Sequence, residues 1–248
     1  VTLTAHDGWQ LLHQVSARRQ ATFGVALGLP TRTVDQIIHW LLAKAAIEYT
    51  VPSASTLRSR TPLYTVLPGE SLGAAMLAVL DTIEGWLLMT STGATVIPLG
   101  AGEASTYSFG GAGNQPVLQV FHAEELQATN LVVVYTGTSG VLPERVGAQA
   151  FDTADARLLG QTLHRHADLQ LETANAQAVA NALLRKAQLS VPLESCSHMP
   201  QVGQQLGDVV TLTDPLTAVT VTGRVQTTTI HFDRDRGAWL QQTTLSVA

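Results

Sequence analysis

The last sixth of the chain, from Leu206 onward, constrains the rest. Leu206 to Thr213, Val219 to Phe232 and Ala238 to Val247 are rich in Val, Thr and aromatic side chains, and Asp214-Pro215 and Asp233 to Gly237 stand between them. Runs of that kind separated by Asp, Pro and Gly read as strands joined by tight turns. Within Asp233-Arg234-Asp235-Arg236-Gly237 the alternating charges partner one another and the glycine supplies a positive φ, so a hairpin tip is expected there. A body built on a sheet follows. The composition agrees: 30 of the 248 residues are Thr, and charged residues make up only 13%, about half the usual ~25%. Only two of the 14 basic residues are Lys (Lys44, Lys186). Such a surface is polar but sparsely ionised, which burial against identical copies tolerates because charge is depleted at interface cores.

Helices are inserted ahead of and among these strands. From Thr31 to Ile47, Val34, Ile37, Ile38, Leu41, Leu42 and Ala45 recur at three- and four-residue steps, with Thr31 or Thr33 as cap. Ser71 caps a second helix with Leu72, Ala75, Met76, Val79 and Leu80 on one face. Thr173 to Leu189 reads as a third, through Ala176, Val179, Ala180, Leu183, Leu184 and Ala187. His6 to Ala26 reads as helix or mixed, and Thr50 to Pro62 as an extended polar loop. Leu63 to Val66 is a short strand before the Pro68-Gly69 turn; Trp86 to Thr90 and Ala94 to Leu99 form a hairpin. Gly100 to Gln115, rich in Gly, Ala and Ser, reads as a loop, and Asn130 to Thr136 as a buried strand. The expected class is α+β and β-rich. Three regions are expected: residues 1–62, helical and extended; 63–128, helix plus hairpin; and 129–248, β-rich with one long helix at 173–189, which the resemblance described below implies to be barrel-like.

Several function classes fall away. No apolar stretch is long enough to span a bilayer, and no signal-peptide pattern opens the chain. A net charge of −5 with 12 scattered Arg argues against a nucleic-acid-binding face. The chain begins at Val1, already inside patterned sequence, as expected of a piece of a longer protein. Cys196, the single cysteine, excludes an internal disulfide and is expected as a small buried apolar side chain. The glycines Gly100, Gly102, Gly110, Gly111 and Gly113 lack the spacing of a phosphate-cradling loop, and no nucleophile-elbow serine occurs.

His164-x-His166 and Cys196-x-His198 are the clusters with ligand-like content, because residues two apart on a strand share a face. A zinc site would need a further ligand, from Asp152, Asp155 or Asp168. His164 and His166 alternate with Leu163, Ala167 and Leu169, which places them on the solvated face of a strand. Glu84 near Trp86, or Asp233 and Asp235 near Trp239, could serve as paired acids for glycoside cleavage, but the latter pair is explained by the hairpin tip. No catalytic, cofactor-binding or metal-binding residue is assigned: no cofactor, no metal, and no enzymatic activity is expected.

Tyr64-Thr-Val-Leu-Pro-Gly-Glu-Ser-Leu72 resembles the opening of a lysin-motif domain, which would imply a peptidoglycan-binding module. The match ends there, since Glu84-Gly85-Trp86 and a hairpin follow the helix directly.

A broader resemblance runs from Thr31 to Val247. In order come Val34-Asp35-Gln36-Ile37-Ile38, Ile47-Glu48-Tyr49, the turn and helix from Gly69 to Leu80, Gly85-Trp86-Leu87 with Gly93 at a hairpin tip, and Asn130-Leu131-Val132-Val133-Val134. Then come Asp155-Ala-Arg-Leu-Leu-Gly160, the helix Ala174 to Leu189, Leu206-Gly207-Asp208-Val209-Val210, and a last hairpin with Phe232-Asp233 and Gly237-Ala238-Trp239. This succession resembles the tail hub (baseplate hub) proteins of tailed bacteriophages, the late-control-protein D group. Where that group carries an aromatic before the glycine, this chain has Leu159. The resemblance implies a tail-tube-like barrel with packed helices, here as the C-terminal portion of a hub. It also implies a ring of copies, commonly a trimer, joining tail tube to tip with DNA in transit through the lumen. The partners implied are tube, distal tail, and tip, spike or fibre proteins. The implied place is the virion, after synthesis in the host cytoplasm. A net negative charge fits such transit, since like charge denies the phosphates any counterion-release gain.

Overall fold

The helix expected from Thr31 onward starts at its cap. In the computed structural model, which describes residues 7–24, 31–51, 61–62, 64–90, 92–99, 104–111, 116–122, 131–136, 146–151, 163–167, 173–189, 192–233 and 237–247, the Thr33 hydroxyl accepts the Gln36 N–H at 3.3 Å. The Gln36 side chain in turn accepts the Thr33 N–H at 3.1 Å. This reciprocal box satisfies two N–H groups that would otherwise lack partners. Helix α2 (Val34–Lys44) follows, and Val34, Ile37, Ile38, Leu41 and Leu42 are fully buried along its stripe, each such side chain contributing roughly 1.5–3 kcal/mol. Asp35 is buried in its first turn, where the helix dipole favours a carboxylate, and accepts the Tyr49 hydroxyl at 2.8 Å.

The other described helices are α1 (Gly8–Gln14), α3 (Leu72–Leu80) and α4 (Thr173–Leu189). Ser71 caps α3 by accepting the Ala74 N–H at 3.1 Å, and Leu72, Ala75, Met76, Val79 and Leu80 are buried as their spacing requires. Within His6 to Ala26, the described residues 7–24 hold α1 and the short strand β1 (Ala21–Phe23).

The chain divides into two compact units. One holds α1 to α3, α4 through Leu184, and three small sheets. In the first sheet β1 pairs antiparallel with β3 (Tyr64–Val66). The second has the order β2-β5-β4, from β2 (Tyr49–Thr50), β4 (Gly85–Thr90) and β5 (Gly93–Pro98); β4 and β5 are the expected hairpin. The third has the order β10-β8-β9, with β10 (Leu163–Ala167) parallel and β9 (Val146–Phe151) antiparallel to the central β8 (Leu131–Thr136). Val132 and Val134 of β8 are buried while Leu131 and Val133 are only half-buried, so one face of this strand carries the packing. One apolar core joins these valines to Val179, Ala180, Leu183 and Leu184 of α4 and to the faces of α2 and α3.

The second unit is one six-stranded sheet of order β6-β12-β13-β14-β11-β7. Its strands are β6 (Tyr107–Phe109), β7 (Val117–His122), β11 (Pro192–His198), β12 (Val209–Thr213), β13 (Thr220–Asp233) and β14 (Ala238–Val247). The Phe109 and His198 rings stack at 4.3 Å and 26°. Four strand steps separate β6 from β11, about 19 Å in a flat sheet. Ring contact across that span requires the sheet to curl over its own core, which holds Phe109, Cys196, Val210, Leu212, Val225 and Leu245. The fold is thus α+β, with a curled half-barrel sheet.

One expectation is corrected. Within Gly100 to Gln115, read as loop throughout, Tyr107–Phe109 is a strand parallel to β12, with Phe109 buried. Three residues beside paired glycines are too short to show a period. Gly110 has φ +71° and lies so close to Thr213 that an added Cβ would overlap the Thr213 carbonyl oxygen, whereas Gly237, φ +59°, faces open space. Gly110→Ala is expected to cost roughly 2–4 kcal/mol and Gly237→Ala about 1 kcal/mol. Urea unfolding of both variants checks this; equal losses would show that close approach to Thr213 does not set the cost.

Candidate functional site

Strands β13 and β14 outrun the core they help to cover. Their register pairs Val225 with Leu245, Thr228 with Thr243, Ile230 with Gln241 and Phe232 with Trp239, and alternation puts these pairs on one face. At the base that face is closed: Val225, Leu245 and Thr243 are fully buried and Gln241 nearly so. Beyond Gln241 the same face is open. Ile230 is 55% exposed, and Phe232 and Trp239 are 56% exposed, with the two rings 4.8 Å apart at 49°. The core face of the sheet therefore continues outward as an apolar ridge on a projecting arm. The opposite face carries exposed Thr227, Thr229, His231 and Gln242.

Polar side chains close the core where the arm leaves it. The Gln201 N–H donates to Gln241 Oε1 at 2.8 Å, and Gln241 Nε2 donates to Gln204 Oε1 at 2.5 Å and to Thr228 Oγ1 at 2.9 Å. His198 places Nδ1 2.7 Å from the Met199 carbonyl oxygen and Nε2 3.0 Å from Thr243 Oγ1. A carbonyl only accepts, so in the neutral ring Nδ1 carries the proton and Nε2 accepts from the Thr243 hydroxyl. Burial lowers the His198 pKa, opposed by its bond to Met199. The Gly207-Asp208 turn is tied to β13 from both sides. The Gly207 N–H donates to the Val225 carbonyl and the Val225 N–H to the Asp208 carbonyl, each at 2.8 Å, while Arg224 Nη1 donates to the Gly207 carbonyl at 2.7 Å.

The residues singled out from the sequence fall into different surroundings. Cys196 and His198 share the inner face of β11, both fully buried. Burial, then the neighbouring Glu194 charge, pushes the Cys196 thiol up to about 12, as suits a small apolar side chain rather than a thiolate ligand. His164 and His166 lie on β10 in register with Val132 and Val134; Asp152, Asp155 and Asp168 lie outside the described residues, as do Asn130 and Asp155 to Gly160. Among the described residues no three His, Cys, Asp or Glu side chains gather at one point. Glu84 is exposed and its carbonyl accepts the Leu99 N–H, closing the β4–β5 hairpin beside half-buried Trp86. Asp233 ends β13; Asp235 lies outside the described residues.

The Tyr64 to Leu72 segment forms the expected strand, turn and capped helix. Its Tyr64 hydroxyl donates to the Ala75 carbonyl at 2.8 Å inside the core, and burial, then the Glu70 charge, raises its pKa. What the sequence reading missed is β7 with exposed Leu118 and Phe121. The β-branched and aromatic run Val117-Leu118-Gln119-Val120-Phe121 carries its signal in composition, without a period-2 pattern.

Two outcomes follow. The folded state keeps His198 neutral and the unfolded state protonates near pH 6.5, so stability is complete above that value. It falls as pH drops toward the lowered folded pKa, by at most ~1.4 kcal/mol per pH unit. Urea unfolding across about pH 8 to 5, wild type against His198→Asn, isolates this slope; identical slopes would remove the assignment. Native Cys196 is expected to resist an aromatic disulfide reagent that reacts promptly once the chain is unfolded, and rapid native labelling would contradict its burial.

No protein-family model and no curated protein sequence matches this chain. Solved structures do. A tail protein from Neisseria meningitidis MC58 is similar with a TM-score of 0.71 at 12% identity, over 96% of this chain and 71% of that one. The 43 kDa tail protein of prophage MuSo2 from Shewanella oneidensis gives 0.61 at 9%, over 88% and 65%. A prophage tail protein from Listeria monocytogenes EGD-e gives 0.58 at 11%, over 96% and 70%. At these identities the likeness is one of fold: this chain has the fold of prophage and bacterial tail proteins and spans about two-thirds of their length.

Proposed function

We propose that this chain is a structural component of a bacteriophage tail, a hub subunit whose copies close into a ring joining the tail tube to the tip. The fold likeness to the Neisseria tail protein across 96% of the chain carries this reading. The surface supports it independently. The arm presents Ile230, Phe232 and Trp239 to solvent on the face that at its base is core, and exposed apolar patches of this kind mark interaction sites. The edge strands β6 and β7 pair on one side only among the described residues. Free edges are normally guarded by charge, above all Lys, yet Tyr-Ser-Phe and Val-Leu-Gln-Val-Phe-His contain neither Lys nor any carboxylate. Partner strands or side chains in an assembly supply the missing cover.

On this reading the protein is a virion component without catalytic activity. Its partners are copies of itself, most simply three, together with tube, tip and fibre proteins. DNA is a passing cargo, not a ligand. The arm is the contact that holds copies together. Light scattering on the wild-type chain is expected to give a closed oligomer. Phe232→Ser with Trp239→Ser, both exposed and so tolerated by the fold, is expected to give a monomer with unchanged circular dichroism. A monomeric wild type that also fails to label tails in immunoelectron microscopy would defeat the reading.

A further inference from the structure

A cleft on the first unit gathers positive charge that no carboxylate among the described residues pairs. Leaving α1, the chain crosses beside the start of α3. The Ala17 N–H donates to the Glu70 carbonyl at 2.9 Å, the Gly69 N–H to the Ala17 carbonyl at 2.8 Å, and the Leu72 N–H to the Val15 carbonyl at 2.8 Å. This lacing fixes the stretch that carries Arg18 and Arg19. With Trp40 and Lys44 from α2 they line a cleft of about 600 Å³ that also holds Ala17 and Leu72, and among the described residues no Asp or Glu lines it.

The charge is concentrated there against the chain's general poverty. In a protein of net charge −5, two of 12 arginines and one of only two lysines face one cavity. Among the described residues no ion pair engages Arg18, Arg19 or Lys44. Glu70, the acid nearest along the crossing, has Oε2 occupied by the Leu67 N–H at 2.8 Å. The indole is held in place: Trp40 packs edge-on to Phe23 at 5.5 Å, Lys44 Nζ lies 5.6 Å from the Trp40 ring, and Arg32 sits 5.3 Å over Phe23. Exposed cations gathered at one cleft raise the local positive potential and so attract an anion from solution.

We infer that this cleft docks an acidic segment of another polypeptide, with carboxylates on Arg18, Arg19 and Lys44 and an apolar side chain against Trp40, Ala17 and Leu72. Guanidinium forks match carboxylates in a bidentate geometry. The apolar lining favours a peptide over a bare inorganic anion, which would leave Leu72 and the indole uncovered. Three cations at one cleft are too few for a nucleic-acid face, which needs an extended basic stripe. The inference stands on the cleft alone and does not require the hub reading.

The test is calorimetric titration with a capped pentapeptide of four glutamates around a central leucine, against its glutamine counterpart, inorganic phosphate and a short oligothymidylate. The glutamate peptide is expected to bind, more weakly as salt rises, and the glutamine peptide not at all. Arg18→Gln with Arg19→Gln, and separately Lys44→Gln, are expected to weaken binding about tenfold, the worth of one charge-assisted hydrogen bond. These side chains are exposed, so thermal unfolding and the oligomeric state of the variants should match wild type, which keeps failure here distinct from failure of the ring. Absence of glutamate-peptide binding, binding that the variants leave unchanged, or preference for phosphate or oligothymidylate would each overturn the assignment.

Discussion

The contact between Phe109 and His198 imposes a geometry on everything around it. One ring comes from an edge strand of three residues, the other from a strand four steps away, and they touch only if the sheet between them curls. Curling gives a single sheet an inside. Among the described residues Phe109, Cys196, Val210, Leu212, Val225 and Leu245 fill it, as in other sheets that close on themselves. The same curl demands close backbone approach at the edge, met at Gly110 against Thr213, and a polar closure where the interior opens, met by His198, Thr243, Gln241 and Gln204. A proton forced onto His198 Nε2 would stop it accepting from the Thr243 hydroxyl and so disturb this closure.

Much of this was legible in advance, where local chemistry decides the outcome. The α4 boundaries, Thr173 and Leu189, read directly from the sequence, and the α2 stripe was legible with Thr31 or Thr33 as its cap, a choice that the Thr33–Gln36 box decides. The long hairpin was legible because turn residues separate two β-rich runs. What was hidden depends on partners distant in sequence. Tyr107–Phe109 becomes a strand because β12, a hundred residues on, offers an edge. β7 is placed by β11 in the same way. The cleft at Arg18 and Arg19 was likewise unreadable, since an adjacent pair of arginines gains meaning only when Lys44 and Trp40 arrive from α2. The exposed aromatic ridge was invisible for another reason: alternation shows which residues share a face, and only the structure shows where the core beneath that face stops.

The treatment of threonine ties the composition to the architecture. Thr211 meets Thr222 and Thr213 meets Thr220 across β12 and β13, hydroxyl to hydroxyl at 3.4 and 3.1 Å. Such pairs stabilise a sheet and satisfy water without placing charge on it. An ionised side chain on the same surface would have to be desolvated whenever another chain covered it, at a penalty that its own ion pair does not reliably offset. A hydroxyl loses far less on burial, because it both donates and accepts and so pairs with whatever backbone or side chain arrives. A sheet faced with Thr, fringed by uncharged edges and ending in Phe232 and Trp239 can be hydrated alone and covered in company. The scarcity of charge in the sequence is thus a chemical condition under which this sheet can stand hydrated and still be covered by another surface.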